Sequence, residues 1–194
     1  GRGYRPEGEF LVDGKPVNIH EYQGIMSTLW IGAMNNDSYL EEMESEGEEK
    51  AFRIVGDPTE GALIVAAEKA GEIQRKLNEK YPRKQEIPFD SVRKRMLTIH
   101  KIEEPCVEDI SPFDDEKERK HYAIALKGAP DIVLQLCNAY QGMDDKPRPL
   151  TDEMKTKIMA ANDEMTQDAL RVLGVAYRVV SVLPEEIDSD ELEK

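Results

Sequence analysis

The residues best suited to chemistry in this chain lie between Phe89 and Met96, in the pattern F-x-S-x-R-K-x-M. An aromatic ring can stack on a heterocyclic base, and cations that follow within a few residues can neutralise phosphate. Phe89, Arg93 and Lys94 are therefore candidate ligand contacts. The alternative interpretation is a β-hairpin with Phe89 in the core and with Arg93, Lys94 and Arg95 exposed at its turn.

A second candidate segment, Gly56–Leu63, has the sequence GDPTEGAL. Asp57 is suited to cap a helix, Pro58 to occupy its first position, and Glu60 to complete a capping box. The same helix start also offers free backbone amides and an acidic side chain, which can accept a hydrogen bond from a ligand amine. The structural and the ligand-binding interpretation both stay open for this segment.

Two further cations stand at the ends of predicted strands. Lys127 precedes Gly128 and Pro130, so its ammonium would lie beside a backbone that a phosphate or an adenine edge can approach closely. An ordinary strand-to-helix turn is the alternative. Arg171 stands at the entrance to an apolar strand, where the alternative role is a surface ion pair.

Common catalytic and metal-binding motifs are absent from the sequence. It contains no G-x-x-x-x-G-K-[ST], G-x-G-x-x-G, G-x-S-x-G or H-E-x-x-H, which are the patterns of phosphate loops, hydrolases and zinc proteases. His20, His100 and His121 are scattered, and Cys106 and Cys137 lack metal-ligand or redox spacing. We therefore assign neither a catalytic residue nor a metal ligand to this chain.

The charge is strongly acidic, with 26 Lys and Arg against 40 Asp and Glu in 194 residues and a formal net charge of −14. This balance argues against a nucleic-acid surface, which needs a basic stripe. The acidic residues concentrate in Glu41–Glu49, Glu103–Glu118 and Pro184–Lys194, which we interpret as solvated loops or helix faces. A small anionic ligand is still compatible with this charge, because a few cations can converge in one pocket.

Apolar periodicity and turn residues predict a mixture of helices and antiparallel strands. Phe10–Val17 is typical of a hairpin around Asp13-Gly14. Helices are predicted for residues 19–34, 58–70, 72–81 and 130–137 and from Thr151 onward. Strands are predicted for residues 51–55, 85–89, 95–102, 121–127 and 172–182. Short connections without a βαβ rhythm favour one α+β domain over residues 1–194, with residues 1–9 and 184–194 as flexible boundary segments.

Taken together and in this order, the segments resemble the nucleotide-binding (N) domain of P-type cation-transporting ATPases, in the calcium-pump-like branch. The resemblance is carried by GDPTEGAL, by F-x-S-x-R-K-x-M, by KGAP followed by Cys137, and by L-R-x-L-x-x-A from Leu170 to Ala176. The lead-in G-Y-x-P-x-G from Gly3 also matches. The resemblance covers almost the whole chain and implies a twisted antiparallel sheet of about seven strands flanked by helices.

At the adenine end, the resemblance implies that Phe89 stacks on the base and that Glu60 contacts the adenine amino group, with Thr59 nearby. Some calcium pumps carry an arginine two places after the aromatic residue, where this chain has Ser91. Arg93 is then the candidate for the phosphate contact that Ser91 cannot make.

The rest of the implied pocket is basic. Lys94 and Lys127 would line it, Gly128 would permit close approach, and Arg171 would reach the phosphates. Leu173 would pack against the nucleotide. These roles are expectations from the resemblance.

The implied function is ATP binding for a larger machine. The family motifs D-K-T-G-T, T-G-D and G-D-G-x-N-D do not occur in the chain, so we expect an excised domain that holds ATP, with Mg²⁺ carried by the nucleotide, but does not turn it over. The parent would be an ATP-hydrolysing cation translocase. The chain would then be a cytoplasmic domain of an integral membrane protein, working with phosphorylation and actuator domains of the same parent chain and touching the membrane only through transmembrane helices outside this sequence.

Two alternatives accompany this expectation. The transported ion would be calcium, with sodium and potassium, proton or magnesium pumps as alternatives within the family. The alternative from a different functional class is an acidic protein-interaction module. Such a module would dock a basic partner, and its nucleotide pocket would be vestigial.

Overall fold

The computed structural model describes residues 3–43, 51–71, 73–102, 122–144 and 146–183, and the fold is given for these ranges. The helices are a 3-10 helix at Ile19–Glu21, α1 (Gln23–Met34), α2 (Pro58–Lys69), α3 (Ile73–Lys80), α4 (Pro130–Leu136) and α5 (Asp152–Gln167). The strands are β1 (Phe10–Val12), β2 (Lys15–Val17), β3 (Tyr39–Met43), β4 (Ala51–Val55), β5 (Arg83–Asp90), β6 (Arg95–Lys101), β7 (Tyr122–Gly128), β8 (Ala139–Gln141), β9 (Pro147–Pro149) and β10 (Gly174–Val180).

The centre of the fold is a four-stranded sheet with the order β10-β7-β6-β5, in which every neighbouring pair is antiparallel. Three separate two-stranded sheets, β1-β2, β3-β4 and β8-β9, accompany it within the described ranges. The α+β class with antiparallel strands is therefore confirmed. The strands are distributed differently from the expected sheet of about seven, because six of the ten described strands form small pairs of their own.

β7 runs through the middle of the molecule and is buried on both faces. Ala123, Ala125 and Lys127 alternate with Ile124 and Leu126, and all five are buried. Successive side chains of a strand point to opposite faces, so this strand supplies residues to two cores.

One core lies between the sheet and helices α1, α2 and α3. It includes Trp30, Ile31, Ile64 and Tyr81 together with Ala125 of β7. The second core lies on the opposite face, where α4 contacts β7 and β10. It includes Leu97, Ile99, Ile124, Leu126 and Val133. α5 packs against α4.

Local sequence explains most element boundaries. The β1-β2 hairpin is confirmed, with Asp13 and Gly14 at φ +50° and +74° in its turn. The helix predicted for residues 19–34 is interrupted at Tyr22, which has φ −110° and ψ 73°. The Asn18 side chain accepts a hydrogen bond from the His20 amide, which stabilises a short 3-10 turn before α1 begins.

The acidic segments are only partly described. Residues 41–43 lie in β3, paired with β4, so the prediction of a loop or helix face was wrong for this part. Pairing with an apolar strand outweighs the low strand propensity of Glu41 and Glu42. The rest of this run, the run from Glu103 to Glu118, and residues 184–194 lie outside the described residues.

Candidate functional site

The N-terminus of α2 is built by a side-chain cap. Asp57 accepts hydrogen bonds from the Thr59 and Glu60 amides at 2.8 and 3.3 Å, and Pro58 occupies the first helical turn. Hydrogen bonds from Thr59 lower the pKa of Asp57, and the charge of Arg171 lowers it further. The predicted Asp57 cap is thus confirmed, and Arg171 lies close enough to act on it. The capping box predicted for Glu60 was wrong, because its carboxylate accepts from Lys127, Asp37 and Ser38 instead.

Glu60 and Lys127 form an ion pair beneath this helix start. The Lys127 ammonium donates to Glu60 Oε1 at 2.7 Å, with side-chain exposures of 6% for Lys127 and 17% for Glu60. A second hydrogen bond goes from the ammonium to the Asn35 carbonyl at 2.5 Å. Burial lowers the pKa of Lys127, while its contacts with Glu60 act in the opposite direction. The two residues that the sequence placed 67 positions apart therefore meet directly.

The second oxygen of the Glu60 carboxylate is also occupied. Oε2 accepts hydrogen bonds from the Asp37 amide at 3.1 Å and from the Ser38 hydroxyl at 3.4 Å. A carboxylate offers about four lone-pair sites, and three of them have donors among the residues that the structure describes. Glu60 keeps one acceptor site for a further donor, and it joins α2 to the segment after α1.

The segment after α1 is fixed to the central sheet by Asn35. Its side-chain amide donates to the carbonyls of Met96 and Ala125 at 3.0 and 2.7 Å. These carbonyls belong to β6 and β7, so the end of α1 is tied to both strands. The carbonyl that receives Lys127 is thereby held in place.

Gly128, Lys94 and the start of β10 lie side by side. In the register of the sheet, Gly128 stands between Arg95 and Gly174, and a Cβ on Gly128 would lie 2.5 Å from the Lys94 carbonyl. The Ala129 amide donates to that same carbonyl at 3.0 Å. The group that approaches Gly128 closely is thus the backbone of Lys94 in the same chain. The sequence prediction did not include this structural role for Gly128.

The β5-β6 hairpin presents the aromatic and cationic residues. Its turn is held by Asp90, whose side chain accepts from the Val92 and Arg93 amides at 2.9 and 2.8 Å, and Lys94 has φ +55°. Phe89 is 61% exposed, so the alternative that it belongs to the core is wrong. The Arg93 guanidinium donates to the Pro88 carbonyl at 3.3 Å, which folds this side chain back over its own hairpin.

The remaining predicted residues border the same end of the sheet. Arg171 is exposed, and Leu173 is half-buried directly before β10. Thr59 is half-buried in the first turn of α2. Hydrogen bonds join Glu60 to Lys127, and backbone contacts join Lys94 to Gly128. Phe89, in β5, and Arg93, in the following turn, belong to the hairpin whose strand β6 pairs with Gly128.

This arrangement can be compared with known proteins. Residues 24–194 match the family model described as P-type ATPase, cytoplasmic domain N. The chain belongs to this family. It is 33% identical over 180 residues to a calcium-transporting ATPase of Bacillus subtilis, covering 93% of this chain and 18% of that protein. It is 34% identical over 174 residues to a calcium-transporting ATPase of Listeria monocytogenes, covering 87% and 17% of the two chains.

A third relative, calcium-transporting ATPase 1 of Lactococcus lactis, is 40% identical over 129 residues, which cover 66% of this chain and 13% of that protein. The N domain described here thus spans less than a fifth of the length of these relatives. In the described ranges, no helix has both the length and the apolar composition needed to cross a bilayer. The resemblance to a calcium-pump-like N domain is confirmed.

Sequence reasoning missed residues that hold the N domain's candidate site together. Asn35, Asp37 and Arg83 were given no role in the site. Apart from Glu86, which lies three positions after Arg83, their partners in the site lie 23 to 92 positions away along the chain. Polar side chains after a helix have no periodicity that would reveal such contacts, and only the fold brings them next to Glu60 and Lys127.

Proposed function

We propose that this N domain binds ATP and positions it for transfer of the γ-phosphoryl group to an aspartate in another domain of its parent chain. The observation that carries the proposal is the exposed ring of Phe89, 61% accessible at the end of β5, beside a turn that contains Arg93 and Lys94. A large aromatic ring exposed to solvent is suited to stack on the base of a nucleotide, and the cations beside it can neutralise the phosphates of that nucleotide.

The adenine end would use Phe89 and Glu60. The ring supplies a stacking face, and the remaining acceptor site of the Glu60 carboxylate can receive a hydrogen bond from an exocyclic amino group. Thr59 lies in the same helical turn, near this carboxylate. A base with a donor at that position would be favoured over one with an acceptor.

The phosphate end would use Lys94, Arg171 and Arg93. Arg93 must release its bonds to the Pro88 and Arg95 carbonyls before it can substitute for the arginine that Ser91 replaces. Leu173 would pack against the nucleotide. Lys127 would contribute less charge than its type suggests, because Glu60 already neutralises it.

Lys127 would still line the pocket through its third N–H, since two are used by Glu60 and Asn35. Gly128 would keep the backbone beside it free of a side chain.

The contribution of this chain to the reaction is positioning. Phosphoryl transfer depends on an in-line arrangement of the attacking and leaving oxygens, and a domain that holds the adenosine end brings the γ-phosphate to its acceptor when domains close. Mg²⁺ would arrive bound to the phosphate oxygens and supply charge neutralisation there. We assign it no ligand in this chain.

We further propose that the parent is an ATP-hydrolysing cation translocase of a cellular membrane, with this domain in the cytoplasm and with phosphorylation and actuator domains as its partners. The names of the relatives support calcium as the transported ion. Sodium and potassium, proton or magnesium transport are the alternatives within the family.

The test is a calorimetric titration of the 194-residue chain with ATP, for the unchanged chain and for Phe89→Ala. Losing a stacked aromatic side chain costs about 1–3 kcal/mol of binding, so the dissociation constant should rise about 5- to 150-fold. Val92→Ala is the matched control, because Val92 is 87% exposed in the same turn and should leave the constant unchanged. Absent ATP binding, or an equal effect of both substitutions, would contradict the proposal.

An acidic interaction module would behave differently in the same samples. A ligand that binds only the folded state raises its thermal stability, so ATP should raise the unfolding temperature of the unchanged chain. Unchanged thermal stability in ATP, combined with salt-sensitive binding to a basic protein, would favour the interaction module.

A further inference from the structure

Arg83 makes four hydrogen bonds at the base of the candidate site. Its Nη1 donates to Asp37 Oδ1 at 2.6 Å and to Glu86 Oε2 at 2.8 Å. Its Nη2 donates to the carbonyls of Met34 and Asn36 at 3.2 and 2.6 Å. Each terminal guanidinium nitrogen carries two N–H groups, so all four are used. The side chain is 28% exposed.

Residues 34–38, which we call the α1 exit segment, have two sides with different partners. On one side, the carbonyls of Met34 and Asn36 and the carboxylate of Asp37 face Arg83. On the other side, the Asp37 amide and the Ser38 hydroxyl donate to Glu60. Asp37 takes part in both sets of contacts and Ser38 follows it directly, so a movement on the Arg83 side is passed on to the donors that hold Glu60.

The same exit segment holds Lys127. The Asn35 carbonyl, which accepts from the Lys127 ammonium at 2.5 Å, lies between the two carbonyls that accept from Arg83. The charge of Arg83 also acts on Lys127 and on His100, lowering the pKa of each, in both cases less than burial does. Geometry and electrostatics therefore both connect Arg83 to the Glu60–Lys127 pair.

We propose that Arg83 is a positioning residue of the nucleotide site: it fixes the α1 exit segment so that the free acceptor site of Glu60 faces the base. This inference rests on the proposed function, since it takes ATP as the ligand. Arg83 itself acts through Asp37 and the segment backbone. A lysine cannot replace it, because an ammonium has three N–H groups around one point, whereas the planar guanidinium serves four acceptors at once.

The experiment compares ATP with inosine triphosphate, which has a carbonyl where adenine has its amino group, by calorimetry on the 194-residue chain. Arg83→Gln should weaken ATP binding about tenfold and inosine triphosphate binding much less, because misplacing Glu60 removes the preference for an amino group. Arg83→Lys should give an intermediate preference. Arg53→Gln is the control, because Arg53 pairs with Glu41 on the β3-β4 hairpin and should change neither constant.

A second background separates positioning from general loosening. In the Glu60→Gln variant, adding Arg83→Gln should not further change the preference for ATP over inosine triphosphate. The residue through which Arg83 acts is already altered there. An unchanged preference in Arg83→Gln, or an equal change in both backgrounds, overturns the inference. Circular dichroism checks folding, and if Arg83→Gln does not fold, a preference in Arg83→Lys equal to that of the unchanged chain overturns it.

Failure of the proposed function has its own signature. If the unchanged chain binds neither nucleotide, the ATP proposal falls. Whether Arg83 positions the Glu60–Lys127 pair is then tested without nucleotide, through the NMR chemical shift of the Lys127 side chain. Arg83→Lys must shift that signal and Arg53→Gln must not; an unshifted signal overturns the inference.

Discussion

At the scale of single residues, burial lowers the pKa of Lys127 and of His100 in the interior of this N domain. Lys127 keeps a cation inside the fold because a carboxylate and a carbonyl both accept from it. An unpaired buried ammonium would cost several kcal/mol. Glu60 therefore has a structural role in this ion pair besides any ligand contact. A Glu60 variant changes stability as well as binding.

His100 is the second such group, and it yields a pH prediction. It is fully buried, its ring nitrogens contact the Tyr81 carbonyl and the Thr98 hydroxyl at 2.9 Å, and burial lowers its pKa from 6.5 to about 4. Below pH 6.5 the unfolded chain binds a proton that the folded chain does not. Stability should therefore fall as the pH drops from 6.5 to about 4, by about 3 kcal/mol from this residue alone.

Urea unfolding at several pH values checks this. The difference in unfolding free energy between the unchanged chain and His100→Gln should shrink by about 3 kcal/mol between pH 7 and pH 4. His20→Gln, at an exposed position, is the control for replacing a histidine by glutamine. Equal pH profiles for the unchanged chain and His100→Gln would contradict the burial argument.

The candidate site was predictable from the sequence only where a residue type and a local motif coincide. Asp57 as a cap and the hairpin turn after Phe89 follow from short-range chemistry. The family resemblance assigned Glu60 and Lys127 to one pocket, but their ion pair was not predicted. Arg83 could not be found either way, because three of its four acceptors lie in the α1 exit segment, 46 to 49 positions away along the chain.

At the scale of elements, α1 and α2 each contain a glycine with different surroundings. A Cβ on Gly61 of α2 would lie 2.5 Å from Ile54 Cγ2 of β4, whereas one on Gly32 of α1 would meet Leu63 at an ordinary 3.7 Å. Alanine improves helix propensity by about 1 kcal/mol at either site. At Gly61, the close contact with β4 should decide whether alanine raises or lowers the unfolding free energy.

We therefore expect Gly32→Ala to raise the unfolding free energy by about 0.5–1 kcal/mol and Gly61→Ala to lower it by about 1–2 kcal/mol. Urea unfolding of the two variants measures both. The substitutions are matched, since each adds one methyl group to a helix interior. A stabilised Gly61→Ala variant would show that α2 can move away from β4.

Two of the strands that sequence patterns missed, β3 and β9, share a physical cause. β3 contains Glu41 and Glu42, and β9 is Pro147–Pro149, so both have residues of low strand propensity. Their extended conformation depends on pairing with β4 and β8. The long apolar strands β6 and β7 were predicted because they are buried on both faces and need little context.

At the scale of the whole molecule, the central sheet separates two cores that share β7. Ile64 belongs to the core under α1, α2 and α3, and Ile99 to the core under α4, and each is fully buried. Two cores on one sheet should unfold together, since loss of either exposes a face of the same strands. The single domain predicted for residues 1–194 can be tested through this cooperativity.

Ile64→Val and Ile99→Val provide the test, each with an expected loss of about 0.5–1.5 kcal/mol. Trp30 is the one tryptophan of the chain and lies in the core with Ile64, so its fluorescence reports that core, while far-ultraviolet circular dichroism reports all elements. In urea, Ile99→Val should lower the fluorescence midpoint as much as the dichroism midpoint, although it lies on the opposite face. A shared sheet should transmit the loss of one core to the other. A fluorescence midpoint that responds to Ile64→Val but not to Ile99→Val would therefore contradict the expectation and mean that the two faces unfold separately.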